Sequence, residues 1–385
     1  MFDKYFPAGI AEGDAFLGRK EEIRRLTYNI QNGQHTLLLA PRRYGKTSLA
    51  RNVIATVDIP GVEIDLFVAQ NEMSMEHKFI KGVQSLLAKI DAPETWIRSL
   101  VNYFKRANKT WTVGFKGANL ELTPDNYRSV PDNILESLNA LEYVLHDKGI
   151  KVVMFIDEFQ EITRIKNHRA IEGAIRHFAQ SSKHVLFIFS GSHRHTLQHM
   201  FEDESRPLYS LCDHICLDRL SEADYGQYLK KISKKTWNCE ISDASLQRIF
   251  TLTKCHPRYV YAFCFRLWDH CFNFKTAPDA EDINEVWNKF VESKLKDFQE
   301  KLDARPTSQV KLMAFIALGN QELTSQYSQS VLGISGSAIS QALKILQQSD
   351  LIERSPKGHY RIVDPILHEV LVINGPDYFA NIRGH

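Results

Sequence analysis

The chain has 385 residues, 43% of them hydrophobic and 24% charged, with a formal net charge of +2. That apolar content can fill two or three ordinary domains. The charge balance demands no nucleic acid, although it leaves room for a local basic face. No window reaches the ~18–20 apolar residues of a membrane span. The first eleven residues, with one lysine and no long apolar run, do not read as a secretory signal. The expectation is a soluble, cytoplasmic protein with no membrane partner. Six cysteines without a CxxC pair suit a reducing compartment. Cys212, His214 and Cys216 suggest a metal site by spacing alone, but Cys216 falls in an apolar, strand-like run and is expected in the core.

In chain order, Thr36 to Ala40 reads as a short buried strand and Thr47 to Val57 as a helix. Val62 to Val68 is a second strand. Met75 to Ile90 has a helical stripe of Phe79, Ile80, Val83, Leu86, Leu87 and Ile90. Trp111 to Leu122 alternates and reads as a small hairpin or an irregular surface loop. Ile134 to His146 is a helix, Lys151 to Ile156 a strong strand and Arg169 to Ser181 a helix. Val185 to Phe189 and His214 to Leu217 complete the strands. Strands alternating with helices predict an α/β domain with a parallel sheet covered on both faces, over residues 1–220. A helical domain follows over 221–304, with helices at Ser221 to Ile232, Ser242 to Leu252, Pro257 to Asn273 and Ala280 to Lys301. In residues 305–385, helices at Val310 to Leu318, Ser325 to Val331 and Ser335 to Gln348 precede short strands at Leu351 to Arg354 and His359 to Ile362. That pattern is a helix-turn-helix with a β-wing.

Between the first strand and its helix stands Ala40-Pro41-Arg42-Arg43-Tyr44-Gly45-Lys46-Thr47. It departs from the phosphate-loop pattern G-x-x-x-x-G-K-[ST] only at Ala40. In such a loop, backbone N–H groups and the following helix N-terminus converge on phosphate oxygens. Lys46 would add positive charge at the β/γ-phosphates, Thr47 would ligate Mg²⁺, and Gly45 would let the backbone approach without a Cβ. About 110 residues later, the strand Val152-Val153-Met154-Phe155-Ile156 ends in Asp157-Glu158. Asp157 would hold Mg²⁺ through its water shell, and Glu158 would orient and deprotonate an attacking water. Two halves in the right order, each after a strand, make a stronger signal than either alone.

Lesser signals surround these. Ser190-Gly191-Ser192 follows the fourth strand, where a hydroxyl can sense phosphate or water; Ser192 is the first choice and Ser190 the alternative. Pro257-Arg258 opens a helix, where Arg258 could reach phosphate. Phe16-Leu17-Gly18-Arg19 precedes the first strand, where a passing chain could cover an adenine face; the plainer reading is a loop followed by a helix with a charged face. Arg194 and Arg206 are candidates for a trans-acting arginine if the protein assembles into a ring.

Together, Phe16-Leu17-Gly18-Arg19-Lys20-Glu21, Pro41 to Leu49 including Ser48, Phe155 to Gln160, Ser190-Gly191-Ser192, Arg206-Pro207-Leu208-Tyr209 and His256-Pro257-Arg258-Tyr259 resemble the AAA+/STAND branch of P-loop ATPases. The likeness is to the prokaryotic "archaeal ATPase" family, over residues 14 to 300. The resemblance implies an ATP-binding α/β domain, a helical lid, a carboxy-terminal winged helix and nucleotide-dependent switching. It also implies that Phe16 to Arg19 lie near adenine and that Pro257-Arg258 lie at the lid side of the nucleotide. Two departures are Ala40 for the first loop glycine, and Ser210-Leu211 where glycine and arginine often follow.

The expected function is therefore a slow, Mg²⁺-dependent ATPase acting as a nucleotide-controlled switch on a protein partner, with oligomerisation possible. An ATP-regulated DNA-binding protein and a nucleotide-binding scaffold without turnover are the alternatives. For DNA, the third helix of the carboxy-terminal unit offers Ser335, Ser337, Ser340, Gln341, Lys344, Gln347 and Gln348, and the wing offers Arg354, Lys357 and Arg361. One basic residue on that helix is a lean footprint for phosphate neutralisation.

Overall fold

The structure, a computed structural model, describes residues 2–90, 100–105, 111–116, 119–124, 129–274, 276–355 and 358–379. Its contacts divide the chain into two compact units. One comprises Arg19–Ala40 and Gly45–Leu217; the other comprises Met1–Gly18, Pro41–Tyr44 and Asp218–His385.

The first unit contains α1 (Lys20–Gln31), β1 (Thr36–Leu39), α2 (Lys46–Thr56), β2 (Gly61–Asp65), α3 (Glu72–Ile90), β3 (Trp111–Lys116), β4 (Asn119–Pro124), α4 (Val130–Lys148), β5 (Val152–Asp157), α5 (His168–Ser181), β6 (Val185–Gly191), α6 (Arg194–Glu202) and β7 (Asp213–Cys216). Five strands form one sheet in the order β2-β5-β6-β1-β7, and every pairing in it is parallel. Parallel strands buried on both faces read as continuous apolar runs; β5 and β6 are buried at every residue. β3 and β4 pair antiparallel as a separate hairpin, so the alternating segment is a hairpin, with 117–118 outside the described residues. The core gathers Leu37, Ile64, Phe79, Leu141, Met154, Ile175, Phe187 and Phe189.

One detail departs from the sequence reading. β7 is an edge strand, so Ile215 points inward while Cys216 is exposed rather than in the core. The helix with a charged face after Arg19 is α1, and it buries only Leu26, Asn29 and Ile30.

The second unit is mainly helical: α7 (Glu222–Trp237), α8 (Asp243–Thr253), α9 (Pro257–His270), α10 (Ala280–Asp303), α11 (Thr307–Ala317), α12 (Gln326–Leu332), α13 (Gly336–Gln348), the antiparallel hairpin of β8 (Ile352–Arg354) and β9 (Tyr360–Ile362), and α14 (Pro365–Ile373). Serine side chains cap four of these helices by accepting from the N3 amide: Ser221, Ser242, Ser325 and Ser335. Asp279 and Asp282 form a reciprocal capping box at the start of α10. One core runs through the unit, from Phe6, Tyr225, Phe263 and Trp268 to Leu312, Leu346 and Leu371.

Candidate functional site

The register of the parallel sheet assembles the candidate site. β1 pairs with β6 so that Leu38 lies beside Ser190 and Leu39 beside Gly191. β5 pairs with β6 so that Ile156 lies beside Phe189. The phosphate loop, Asp157 and Ser190 therefore leave the sheet at the same ends of neighbouring strands, the carboxyl ends, where open α/β sheets bind ligands.

At those ends the side chains meet. The Thr47 hydroxyl donates to Asp157 Oδ2 at 2.7 Å across 110 residues of sequence. The Ser190 hydroxyl and the Glu158 amide both donate to Asp157 Oδ1. Asp157 is thus fixed from three sides. Glu158 stands in the left-handed region with φ 52°, a conformation that costs a non-glycine residue roughly 1–2 kcal/mol and turns its side chain away from the strand line. Its Oε2 accepts from the Ser192 hydroxyl at 2.8 Å, from the Ser192 amide at 3.1 Å and from Gln160 Nε2. Burial pushes the Glu158 carboxyl up, but the donors from Gln160 and Ser192 and the charge of Lys46 outweigh it and hold the group below its ordinary range. Glu158 is ionised at neutral pH. A Cβ at Gly191 would lie 1.8 Å from Gln160 Oε1, so a larger residue there would have to displace the amide that holds Glu158.

The loop residues behave more simply than their motif suggests. Lys46 Nζ donates to the Ala40 carbonyl at 2.9 Å, closing the loop on itself. Ala40 is not among the residues with positive φ, so its methyl group in place of the first glycine brings no backbone strain. Gly45 caps α2 at φ 87°, and a Cβ there would meet nothing within 4 Å. The torsion, not crowding within the protein, requires glycine at this position. Arg43 also stands at φ 67°. Ser48 is buried in the first turns of α2.

Pro41 to Tyr44 belong by contact to the second unit, and so do Phe16 to Gly18, Pro257 and Arg258. Burial, and next the nearby charge of Arg258, pull the Arg43 guanidinium below its ordinary pKa. Two cations thus approach one another within this unit. At Gly18, φ is 60° and a Cβ would meet Leu220 and Asp224 at 3.0 Å. Arg19 in the first unit uses its guanidinium on Glu22 at 2.9 Å.

Several sequence candidates are placed elsewhere. Arg206 is not available as a trans-acting arginine: it is buried and paired with the fully buried Glu172. Arg361 on β9 is held by Glu353 and Asp218, and Lys357 lies outside the described residues. Sequence reasoning gave Gln160 no role, although it closes the Phe155 to Gln160 segment, and did not foresee that Ser190 and Ser192 serve different carboxylates. Among the described residues, His270, Cys271 and Asp282 come close enough to hold a metal, but Asp282 is already the capping partner of Asp279. No helix among the described residues is long and apolar enough to cross a membrane.

A family model described as an ATPase domain predominantly from Archaea matches residues 16–263. No curated protein is significantly similar in sequence. Among solved structures, the Walker-type ATPase of Pyrococcus abyssi is 18% identical with a TM-score of 0.67, over 96% of this chain and 99% of that one. The ORC2 protein of Aeropyrum pernix, solved as ADPNP–ADP complexes, is 14% identical with a TM-score of 0.55, over 99% of this chain and 97% of that one. At such identities the likeness is one of fold, and it extends past the family match into the carboxy-terminal helical region. The chain belongs to the family of ATPase domains found predominantly in Archaea and is a nucleotide-binding P-loop ATPase.

Proposed function

We propose that the chain is a Mg²⁺-dependent ATPase that uses turnover as a conformational switch, with Lys46, Thr47, Asp157 and Glu158 as its working residues. The observation that carries this reading is the meeting of Thr47 with Asp157 at 2.7 Å, with an ionised Glu158 one residue away. The loop from Ala40 through Arg42 and Tyr44 to Ser48 would cradle the phosphates with backbone amides. Lys46 would exchange the Ala40 carbonyl for a phosphate oxygen. A hydroxyl and a carboxylate side by side are hard oxygen donors that would hold Mg²⁺, and the ion would supply positive charge against the phosphates. Ser190 holds Asp157 in place for that task. Glu158 would orient the attacking water and accept its proton, while Ser192 and Gln160 keep its carboxylate aimed and ionised.

In this reading residues 1–220 form the nucleotide domain, 221–304 a lid and 305–385 a winged helix. Phe16 to Arg19 would border the adenine, and Pro257-Arg258, beside the cationic Arg43, would favour the phosphate side. The winged helix would contact a protein. Use of Arg361 on Glu353 and Asp218 supports that choice over DNA, because it withdraws one of the few wing cations from phosphate neutralisation.

The test is calorimetric titration of nucleotide-free protein with ATP and ADP, with and without Mg²⁺, beside Lys46→Ala, followed by phosphate-release assays. Binding that needs Lys46 and turnover that needs Mg²⁺ are expected. Nucleotide binding unchanged in Lys46→Ala would sink the assignment of the loop.

A further inference from the structure

Tyr44, one residue before Gly45 in the phosphate loop, is 1% exposed. Its hydroxyl donates to Glu353 Oε1 at 2.7 Å, across 309 residues of sequence. Glu353, on β8, is itself 3% exposed. The same oxygen accepts from Arg219 Nη2 at 3.0 Å and from Arg361 Nε at 2.8 Å. Arg219 continues to the carbonyls of Lys254, Ile362 and Val363, and Arg361 to Asp218. Two arginines and two carboxylates thus form a neutral cluster tying β8, β9 and the chain before α7 together, and the phenol of the phosphate loop is its fifth member. The Tyr44 ring also stands edge-on to His256, the cap of α9, at 4.9 Å.

We infer that Glu353 is a positioning residue for the phosphate loop, acting through Tyr44, so that nucleotide binding and the order of the β8–β9 hairpin are coupled. The inference rests on the reading that this loop binds nucleotide phosphates. Its physical basis is strain and anchoring. Arg43 holds a left-handed torsion of 67° without being glycine, and such a residue keeps that conformation only where its surroundings over-determine it. The anchor beside it is Tyr44: a buried aromatic ring with a charge-assisted hydrogen bond to a carboxylate that two guanidiniums fix. Without the phenol hydroxyl, Arg43 can relax toward ordinary torsions and the loop amides lose their preset convergence. A binding site that must first be ordered binds more weakly. By reciprocity, nucleotide on the loop must stabilise whatever holds Tyr44.

Tyr44→Phe isolates the hydroxyl. It keeps the buried ring, and Glu353 keeps both arginines, so the fold is retained. The experiment measures Mg·ADP affinity by calorimetry in wild type and Tyr44→Phe. It also measures amide hydrogen exchange over 352–354 and 360–362 in both proteins, with and without Mg·ADP. Expected are a Kd raised roughly fivefold to tenfold in Tyr44→Phe and slower hairpin exchange on adding Mg·ADP to wild type. That nucleotide-dependent slowing should disappear in the variant. A merely structural role for the phenol would change the hairpin's basal exchange without removing its response to nucleotide. Equal affinities, or a hairpin response that persists in Tyr44→Phe, overturn the coupling while leaving the phosphate-loop reading intact. A wild type that binds no Mg·ADP overturns the reading itself, and the coupling with it.

Discussion

Glu158 and Glu353 are both withdrawn from solvent, but they are held in opposite ways. Glu158 is fixed mainly by neutral donors, the amide of Gln160 and the hydroxyl and backbone of Ser192, with Lys46 adding charge. Glu353 is neutralised directly by two guanidiniums. Neutral hydrogen bonds aim a carboxylate and keep it ionised without occupying it with a permanent counter-charge, so it stays able to take a proton. A carboxylate paired with two arginines serves as a joint. Two guanidiniums mark the joint, and the neutral donors of Ser192 and Gln160 mark the proposed base.

Substitution should break the comparison in opposite directions. Glu158→Gln should cut ATP hydrolysis by about two to four orders of magnitude with near-normal ATP binding, measured by phosphate release and calorimetry. Its amide oxygen still accepts from Ser192, so the urea midpoint should barely move. Glu353→Ala should do the reverse at the level of folding. It leaves the buried guanidinium of Arg219 and the partly exposed one of Arg361 with one carboxylate fewer, at a cost of about 3–5 kcal/mol, read from denaturant unfolding. Equal stability losses in the two variants would erase the distinction.

A smaller effect sharpens it. Ser192→Ala removes one donor from Glu158, and that donor lowers the carboxyl's pKa. Turnover should fall about tenfold to a hundredfold. The acid limb of the pH–rate profile should shift to higher pH, because the base now protonates earlier as pH falls. A rate loss with an unmoved acid limb would mean that Ser192 positions something other than Glu158.

How much of this was visible in the sequence depends on whether a signal is local. The strands, their alternation with helices and the Gly45-Lys46-Thr47 and Asp157-Glu158 pairs were legible, because each is a run of neighbouring residues with its own period or spacing. The serine-capped helices were legible to within a few residues for the same reason. α1 was legible only as a charged face without bounds, since Lys20-Glu21-Glu22 and Arg24-Arg25 hide a narrow apolar stripe. Cys216 was misread because an edge strand and a central strand have similar sequences over four residues. Arg206 looked like a free cation because nothing local announces Glu172. The Glu353 cluster was beyond reach: Tyr44, Arg219 and Glu353 are separated by 175 and 134 residues, and only the tertiary fold brings them together.

The smallest expected effect concerns what the joint does to its neighbour. Arg219, which neutralises Glu353, also faces His368 on α14. Burial first, then the charges of Lys254 and Arg219, lower the pKa of His368 from 6.5 to about 4. Among the described residues, its buried Nδ1 has no hydrogen-bond partner. The sign follows from proton uptake. Between pH 6.5 and the folded value, the unfolded chain binds a proton at this position and the folded chain does not. The stability contributed by the neutral ring is fully present above pH 6.5 and is lost as pH falls toward 4. Other groups titrate in the same interval, so the informative quantity is a difference: denaturant midpoints of wild type and His368→Gln, each measured at pH 7 and pH 5. Wild type should lose on the order of 1 kcal/mol more than the variant over that interval. The gap should narrow in an Arg219→Met background, where one of the repelling charges is gone. Parallel pH dependences in wild type and His368→Gln would mean that the ring is solvated enough to protonate in place. Arg219 would then act on Glu353 alone.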